Sequence, residues 1–515
     1  MLIALMLAGL LIACGNSNTS SASKSITQGA EEILSDKDTL TIGAYGEPDS
    51  LFIANDGKIP GASLAANLYE TLLIMDAKGN VLPLLAESYT KISDTLFEYK
   101  IKKGVLFHNG EELKASDVVF TFLHLIDNPK AATYSEPLDR KSIVAVDDYT
   151  VRIGTKEPSA PMQRMMCHPM MSIFNQKHYE TAKANGTLDI TAVGTGAFKL
   201  VEWNDGANIM LERFDKYHGE PAKLKYLNFR YIPEQNSRLL ELETGGIDLM
   251  TEVPGVSIEQ IEETKGLTMW NTPGASCTFM ALNFDRKFLQ DTKVRLAIAH
   301  SIDIDALRKA VVMNAALTAT GVISPVVPGA IVTPGYPYDT KKAKQLLIDA
   351  GYPNGINLEL AFYQSSENRR TAEALQAMMK PGGINLVLNE MATSSYTPFL
   401  NTREQQAAIT TLVNTLRDPH QTFSKLYSSS VGLGGNRVNY ANKEMDDLLN
   451  KAAAELDENT RMELYRQIQM KIYNEVIWIP IYFMNVCTAT VSNLRGYEVI
   501  YPAAYQNYKT CYFVK

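Results

Sequence analysis

Alternating and four-spaced apolar positions divide this chain into short elements of both kinds. In "TLFEYKIKKG", Phe97, Tyr99 and Ile101 fall on one side and Glu98, Lys100 and Lys102 on the other, the period of a half-buried strand. "TLTIGAY", from Thr39, has the same character. "GASLAANLYETLLIM" instead places Leu64, Leu68 and Leu72 four apart, on one helical face. "KGN" at 78–80 is a tight-turn signal. "SDVVFTFLHLI" predicts a short helix capped by Ser116 or Asp117.

Further on, "YTVRIGT" and "LKYLNFRYI" predict strands, and "EQNSRLLELETGG" a helix stopped by Gly245 and Gly246. "DTKVRLAIAHSIDIDALRKAVV" is helix-rich, and "TKKAKQLLIDAGY" is a helix ending at Gly351. "KEMDDLLNKAAAEL" and "ENTRMELYRQIQMKIYNEV" follow as two helices, the second striped by Leu464, Ile468 and Ile472, before a buried strand at "IWIPIYF". No internal repeat is visible. Interleaved helices and strands predict an α/β fold.

A length of 515 residues implies two or three domains, and an apolar share of 45% fits a globular chain. With 49 basic and 57 acidic residues the net charge is -8, and no basic run stands out, so nucleic acid is not an expected partner. Met1–Ala13 is uncharged and small or apolar, too short to span a bilayer, and reads as the apolar part of a secretory signal peptide (1–13). Leu11-Ile12-Ala13-Cys14 resembles a bacterial lipobox, in which Cys14 carries the lipid and anchors the chain to the outer face of the cytoplasmic membrane. In one departure from that pattern, no Lys or Arg precedes the run. Residues 14–35 then form a Ser/Asn/Thr-rich flexible tether. Cys167, Cys277, Cys487 and Cys511 are far apart, with neither metal spacing nor a dense disulfide pattern; buried thiols and one or two pairs both remain open.

"LAESYTKISDTLFEYKIKKGVLFHNGEELKASDVVFTF" (85–122) closely resembles the signature of the family 5 solute-binding proteins of ABC importers, the dipeptide, oligopeptide and nickel receptors. "VGTGAFKLVEW" (193–203), "FDKYHGEPAKLKYLNFRYIPEQNSRLLELETGGIDL", "VRLAIAHSIDIDAL", "NRVNYANKEMDDLLNKA" and "WIPIYF" resemble further family segments, in the family's order, from about residue 38 to the end. The resemblance implies a two-lobed, periplasmic-binding-protein-like (class II) α/β fold with a hinge between lobes and an extra subdomain in lobe I. It assigns lobe I to 36–72, 193–283 and 483–515, the extra subdomain to 73–192, and lobe II to 284–482. It implies an extracytoplasmic, monomeric receptor that captures a peptide or peptide-like solute and delivers it to a membrane permease. A peptide-sensing signalling lipoprotein and a receptor for nickel or another small solute remain as alternatives.

In dipeptide- and oligopeptide-binding members an Asp shortly before an acidic-Pro pair holds the ligand's ammonium. In "VNTLRDPHQTF" that pair is Asp418-Pro419 and the Asp position falls on Thr415, preceded by Asn414. A hydroxyl accepts from an ammonium but brings no countercharge. Asp418 or Glu390 is then expected to substitute, or the ligand lacks a free amine. Other expected ligand contacts are Tyr45 and Glu47 after the first strand; Ser276, Cys277 and Thr278 in "GASCTFMALN"; Arg417; and Asn436 and Arg437 in "GGNRVNY". Each has a structural alternative: Glu47 as a loop charge, Ser276–Thr278 as packing, Arg437 as a brace of its own loop. Of the seven histidines only His168 and His178 come near metal spacing, and loosely, so no metal or cofactor is expected. No Gly-x-Ser-x-Gly elbow, His-Glu-x-x-His motif or phosphate-cradling glycine loop supports a hydrolase or other enzyme.

Overall fold

The computed structural model of the chain describes residues 32–56, 59–76, 78–429, 435–500 and 506–515. Cys14, the apolar run before it and most of the expected tether lie outside the described residues. Among the described residues no helix is long and apolar enough to cross a membrane.

Two exceptionally long antiparallel strands, Leu267–Leu282 and Trp478–Val491, are paired along nearly their whole length. On one side of them the sheet continues through Leu249–Thr251, Thr39–Ala44, Tyr226–Tyr231, Asn208–Arg213 and Phe198–Asn204. On the other it continues through Ala407–Val413, Ile356–Tyr363 and Ile384–Met391, with Ala316–Thr318 paired to the second long strand. The result is a two-lobed α/β fold with one sheet running through both lobes. Within each lobe the inner strands run parallel: Thr39–Ala44 beside Tyr226–Tyr231 and Leu249–Thr251, and Ile356–Tyr363 beside Ile384–Met391 and Ala407–Val413.

The ladder between the long strands shifts register between Pro273 and Ser276. Proline has no N–H to give a ladder, and the two extra residues bulge. Their carbonyls are still used: Ser324 Oγ donates to Gly274 O at 2.6 Å and Asn414 N to Ala275 O at 3.2 Å.

A separate four-stranded sheet, Ala86–Ser93, Leu96–Ile101, Thr150–Gly154 and Val144–Asp147 in that spatial order, lies off the large one. Tyr99 and Ile101 are buried and Lys100 is exposed, as alternation predicts. The neighbouring helix, Ala115–Asp127, starts at an N-cap of Lys114, so Asp117 sits inside the first turn and its carboxylate accepts from Lys114 N at 3.1 Å. The first helix, Ile59–Leu68, ends earlier than its leucine spacing predicts, and Leu73–Met75 is a strand. Leu68 O accepts from Gly196 N at 3.0 Å, tying the helix end to the Gly-Thr-Gly segment.

That segment shows why it needs glycines. A Cβ on Gly194 would lie 2.1 Å from Leu68 O, and one on Gly196 2.4 Å from Asn67 O. Between them Thr195 Oγ1 donates to the buried Glu70 carboxylate at 2.9 Å, which also accepts from Tyr217 OH at 2.7 Å and bonds His218 Nε2 at 2.7 Å. His108 clasps the same segment: its Nδ1 accepts from Gly194 N at 3.3 Å, so its Nε2–H faces Gly196 O at 3.0 Å. In the second lobe Arg295 of the Arg-x-Ala helix donates to the carbonyls of Leu289, Gln290 and Glu475.

Burial pushes the His108 imidazole down to about 4, against the bond to Gly196 O, which favours the charged form. Between pH 6.5 and about 4 the unfolded chain therefore binds a proton here that the folded chain does not, and stability falls as pH falls through that window, by up to roughly 3 kcal/mol. His108→Gln, which keeps an N–H for Gly196 O, should shrink the loss of urea midpoint between pH 6.5 and 4.5. An unchanged pH profile would remove His108 from the account.

Candidate functional site

In open α/β sheets ligands lie outside the carboxyl ends of the parallel strands. In one lobe those ends lead into Tyr45, Tyr231 and Glu252; in the other they lead into Tyr363, Glu367, Tyr396 and Asn414-Thr415. The two sets face each other across the long-strand pair: Tyr45 and Glu252 interact electrostatically with Tyr363, and Glu252 with Glu367. The site is therefore the cleft between two sets of strand ends.

The Asn414–Gln421 segment is the most heavily bonded part of it. Asn414 is 1% exposed; its Nδ2 donates to Asp418 O at 2.8 Å and Thr422 Oγ1 at 2.9 Å, and its Oδ1 accepts from Asp418 N at 3.1 Å. Thr415 Oγ1 accepts from Gln421 Nε2 at 2.7 Å and shares a 3.2 Å hydrogen bond with the hydroxyl of Tyr134, in the short helix Ala132–Ser135. Arg417, in the left-handed region at φ 49°, lies against Gly79, between the strands Leu73–Met75 and Val81–Pro83. Asp418 bonds Arg461 at 2.5 Å, caps the following helix through His420 N at 2.9 Å, and has Arg164 Nε at 3.8 Å. Burial pushes the Asp418 carboxyl up, but the Arg461 charge and bond outweigh it and hold it below the usual carboxylate range. Ala160 N donates to Ala453 O at 2.9 Å nearby. Residues expected to hold an ammonium thus join the second lobe to Gly79, Tyr134 and Arg164. Asp418 is committed to Arg461, and Glu390 is paired with Arg369 at 2.7 Å.

Several other expected contacts are engaged in the fold. Glu47 accepts from Trp203 Nε1 and from Gly206 N at 3.1 Å, bracing the hairpin of 198–213. Cys277 is 4% exposed among Phe279, Tyr427 and Trp478 in the second lobe's core, and burial pushes its thiol up. Thr278, 1% exposed, bonds Thr411 Oγ1 at 2.8 Å. Asn436 braces its own loop through Tyr440 O at 2.7 Å. Cys167, Cys487 and Cys511 are also buried and free, and burial pushes all three thiols up to about 12. Among the described residues no group of three or more His, Cys, Asp or Glu side chains lies together as a metal site.

Ser276, Tyr45 and Arg437 are different. Ser276 is half-buried at the register shift, and among the described residues its hydroxyl has no hydrogen-bond partner. The same holds for the Tyr45 hydroxyl, whose ionisation burial opposes. The Arg437 guanidinium is half-buried beside Tyr396, whose ring is 5.6 Å from that of Tyr363, and it has no hydrogen-bond or ion-pair partner among the described residues. Burial lowers the pKa of Arg437, while Tyr396 raises it.

Sequence reasoning missed Glu252, Glu367, Tyr134, Arg164 and Arg461. Glu252 (φ 55°) is reached by solvent, yet the protein enclosing it pushes its carboxyl up to about 7, with Arg238 opposing and Glu367 adding to the rise. Glu367 is half-buried in the first turn of Ser366–Met379; burial raises its pKa, against a 3.0 Å hydrogen bond from Tyr482 OH. A usable signal existed for these two: each stands just beyond a parallel strand.

The model of the bacterial extracellular solute-binding proteins, family 5 (middle), matches residues 80–433. The dipeptide-binding protein of Escherichia coli (strain K12) is 27% identical over 452 residues, 81% of this chain and 84% of the relative. Heme-binding protein A of Haemophilus influenzae is 29% identical over 429 residues, 78% of each chain. The solved structure of the periplasmic binding protein DppA from Helicobacter pylori, in complex with the peptide STSA, superposes with a TM-score of 0.82 at 27% identity, covering 94% of this chain and 99% of that one.

Removing one partner of a buried ion pair strands the other. Arg461→Ala should therefore cost about 3–5 kcal/mol in urea unfolding, because Asp418 keeps only the more distant Arg164. A loss below about 1 kcal/mol would mean that Arg164 or water takes over the charge.

Proposed function

The chain belongs to the family 5 bacterial extracellular solute-binding proteins, and from that premise we propose that it is the cargo receptor of an ABC importer for a peptide or peptide-like solute. It holds the solute between its lobes and hands it, chemically unaltered, to the permease. The observation that carries this reading is the set of unspent polar groups on both walls of the cleft, Tyr45 on the first lobe, Ser276 on the shared frame and Arg437 on the second lobe. An extended peptide offers such walls a row of main-chain donors and acceptors, and a planar guanidinium suits a carboxylate. The peptide named in the Helicobacter relative and the dipeptide in the Escherichia one support the same cargo class.

In this reading the lobes pivot where the long-strand ladder is interrupted. That moves the first crossing from residue 283 back to 273–276 and puts the second at 484–485. Residues 73–192 are the extra subdomain and close onto lobe II through Tyr134, Ala160 and Arg164. The protein works as a monomer, held to the outer face of the membrane by a lipid on Cys14, with the first thirteen residues removed as a signal.

Native mass spectrometry of protein purified without denaturation should show a bound peptide-sized adduct, released with unchanged mass. Arg437→Ala should lower affinity for peptides with a free carboxylate about tenfold or more while leaving their C-terminal amides unaffected. Cys14→Ser should move the protein from the membrane to the soluble fraction; retained attachment would rule out this anchor. Deleting the protein should abolish uptake of the cargo, whereas intact uptake would sink the transport role.

A further inference from the structure

Charged groups withdrawn from water are normally paired. Around the facing strand ends this rule lapses at the buried Arg238, beside which stands Glu252, reached by solvent, with the half-buried Glu367 across the cleft. The Glu252 carboxylate has no hydrogen bond or contact ion pair among the described residues, and Glu367 receives only the hydroxyl of Tyr482. Arg238, 1% exposed, donates through Nη1 to Ile232 O and Pro233 O at 2.6 and 2.9 Å. Its Nε–H is buried without an acceptor, beside Glu252 and the free Tyr45 hydroxyl. One small region therefore presents two carboxylates without a contact ion pair, Glu252 with Arg238 nearby and Glu367 with Arg370 nearby, and two donors, the Arg238 Nε–H and the Tyr45 hydroxyl, without an acceptor among the described residues.

An α-ammonium next to a carbonyl satisfies both demands. We infer that Glu252 and Glu367 form a clasp, one jaw on each lobe, for the ammonium of an aminoacyl end, whose adjacent carbonyl faces Tyr45 and Arg238. The inference rests on the solute-receptor reading above and specifies which end of the cargo goes where. It also resolves the missing countercharge at Thr415, since Asp418 and Glu390 are already paired and the clasp supplies two carboxylates elsewhere. With no cation between them the two glutamates repel across the cleft. A cationic end removes that repulsion, so the cargo's charge itself favours closure. Neutral or acetylated ends leave it in place.

The test uses alanine peptides of two, three and four residues, each with a free and an N-acetylated amino end, titrated calorimetrically into the full-length protein. Free-amine peptides should bind at least tenfold more tightly than their acetylated forms. Glu252→Gln and Glu367→Gln should each erase that preference. The groups facing Glu252 are Arg238, Glu367, Tyr45 and Tyr363, and those facing Glu367 include Arg370 and Tyr482; burial raises the Glu252 carboxyl to about 7 and the Glu367 carboxyl above its ordinary value. An incoming ammonium lowers the proton affinity of Glu252, so titrations at pH 7 in buffers of different ionisation enthalpy should report release of about half a proton, absent in Glu252→Gln. Equal binding of free and acetylated peptides would overturn the clasp and leave the peptide-receptor reading intact. Failure of every peptide in both forms would overturn that reading and the clasp with it.

Discussion

The architecture depends on one constraint: a single hydrogen-bonded ladder is shared by two bodies. Leu267–Leu282 has 16 residues, about 50 Å of extended chain, where a strand in a globular protein usually has three to ten. One half is completed by Leu249–Thr251 and its neighbours through Trp478–Val491, the other by Ala407–Val413. A continuous ladder of that length would weld the lobes together. The shift between Pro273 and Ser276 prevents this, because bonds are missing there and the freed carbonyls of Gly274 and Ala275 are taken up by Ser324 and Asn414. The ladder is regular along each half and interrupted near its middle, between Pro273 and Ser276 and again between Thr278 and Phe279.

The same detail ties the frame to the cleft. Asn414 N bonds Ala275 at the bulge, and the Asn414 side chain shapes the turn that presents Thr415, Arg417 and Asp418. Those three residues meet Tyr134, Gly79 and Arg164. A rotation at the bulge is therefore felt, within a few residues, where the far side of the cleft makes contact. Arg461 anchors the turn from behind, so the segment moves as part of its lobe.

Much of this was legible in the chain. Alternation at Phe97, Tyr99 and Ile101 located a strand, and the Gly-Thr-Gly segment, the Arg-x-Ala helix and their order identified the family. The atoms then give reasons: no side chain fits over the carbonyls of Asn67 and Leu68, and Arg295 collects the carbonyls that close a helix-rich corner. The site was less legible for a different reason. In a strand that leaves one lobe and enters another, period two says which residues share a face but not which face meets a core, so Cys277 and Thr278 read as ligand contacts and turn out to be packed. Glu252 and Glu367 are 115 positions apart. Only the placement of two parallel strand sets, end to end across the long pair, makes them neighbours, and no local pattern encodes that.

Magnitudes indicate how the cleft behaves. Among the described residues, the contacts of residues 73–192 with the Asn414 turn and its neighbouring helix include two neutral hydrogen bonds, Tyr134 to Thr415 and Ala160 to Ala453, the 3.8 Å approach of Arg164 to Asp418, and Arg417 lying against Gly79. At about 1 kcal/mol for each of these hydrogen bonds and less for the loose ion pair, those three contribute about 2–3 kcal/mol toward closure, and Arg417 adds to them. Against them stand the like charges of Glu252 and Glu367 and the cost of enclosing the Arg437 guanidinium, the Tyr45 hydroxyl and the Arg238 Nε–H without acceptors among the described residues. A solute that fills those unmet bonds on both walls shifts the balance by its differential affinity for the closed form, whereas one that touches a single wall shifts nothing. Discrimination then comes from bridging rather than from tight binding to either lobe, which is why the groups left unpaired matter more to selectivity than the larger number already paired.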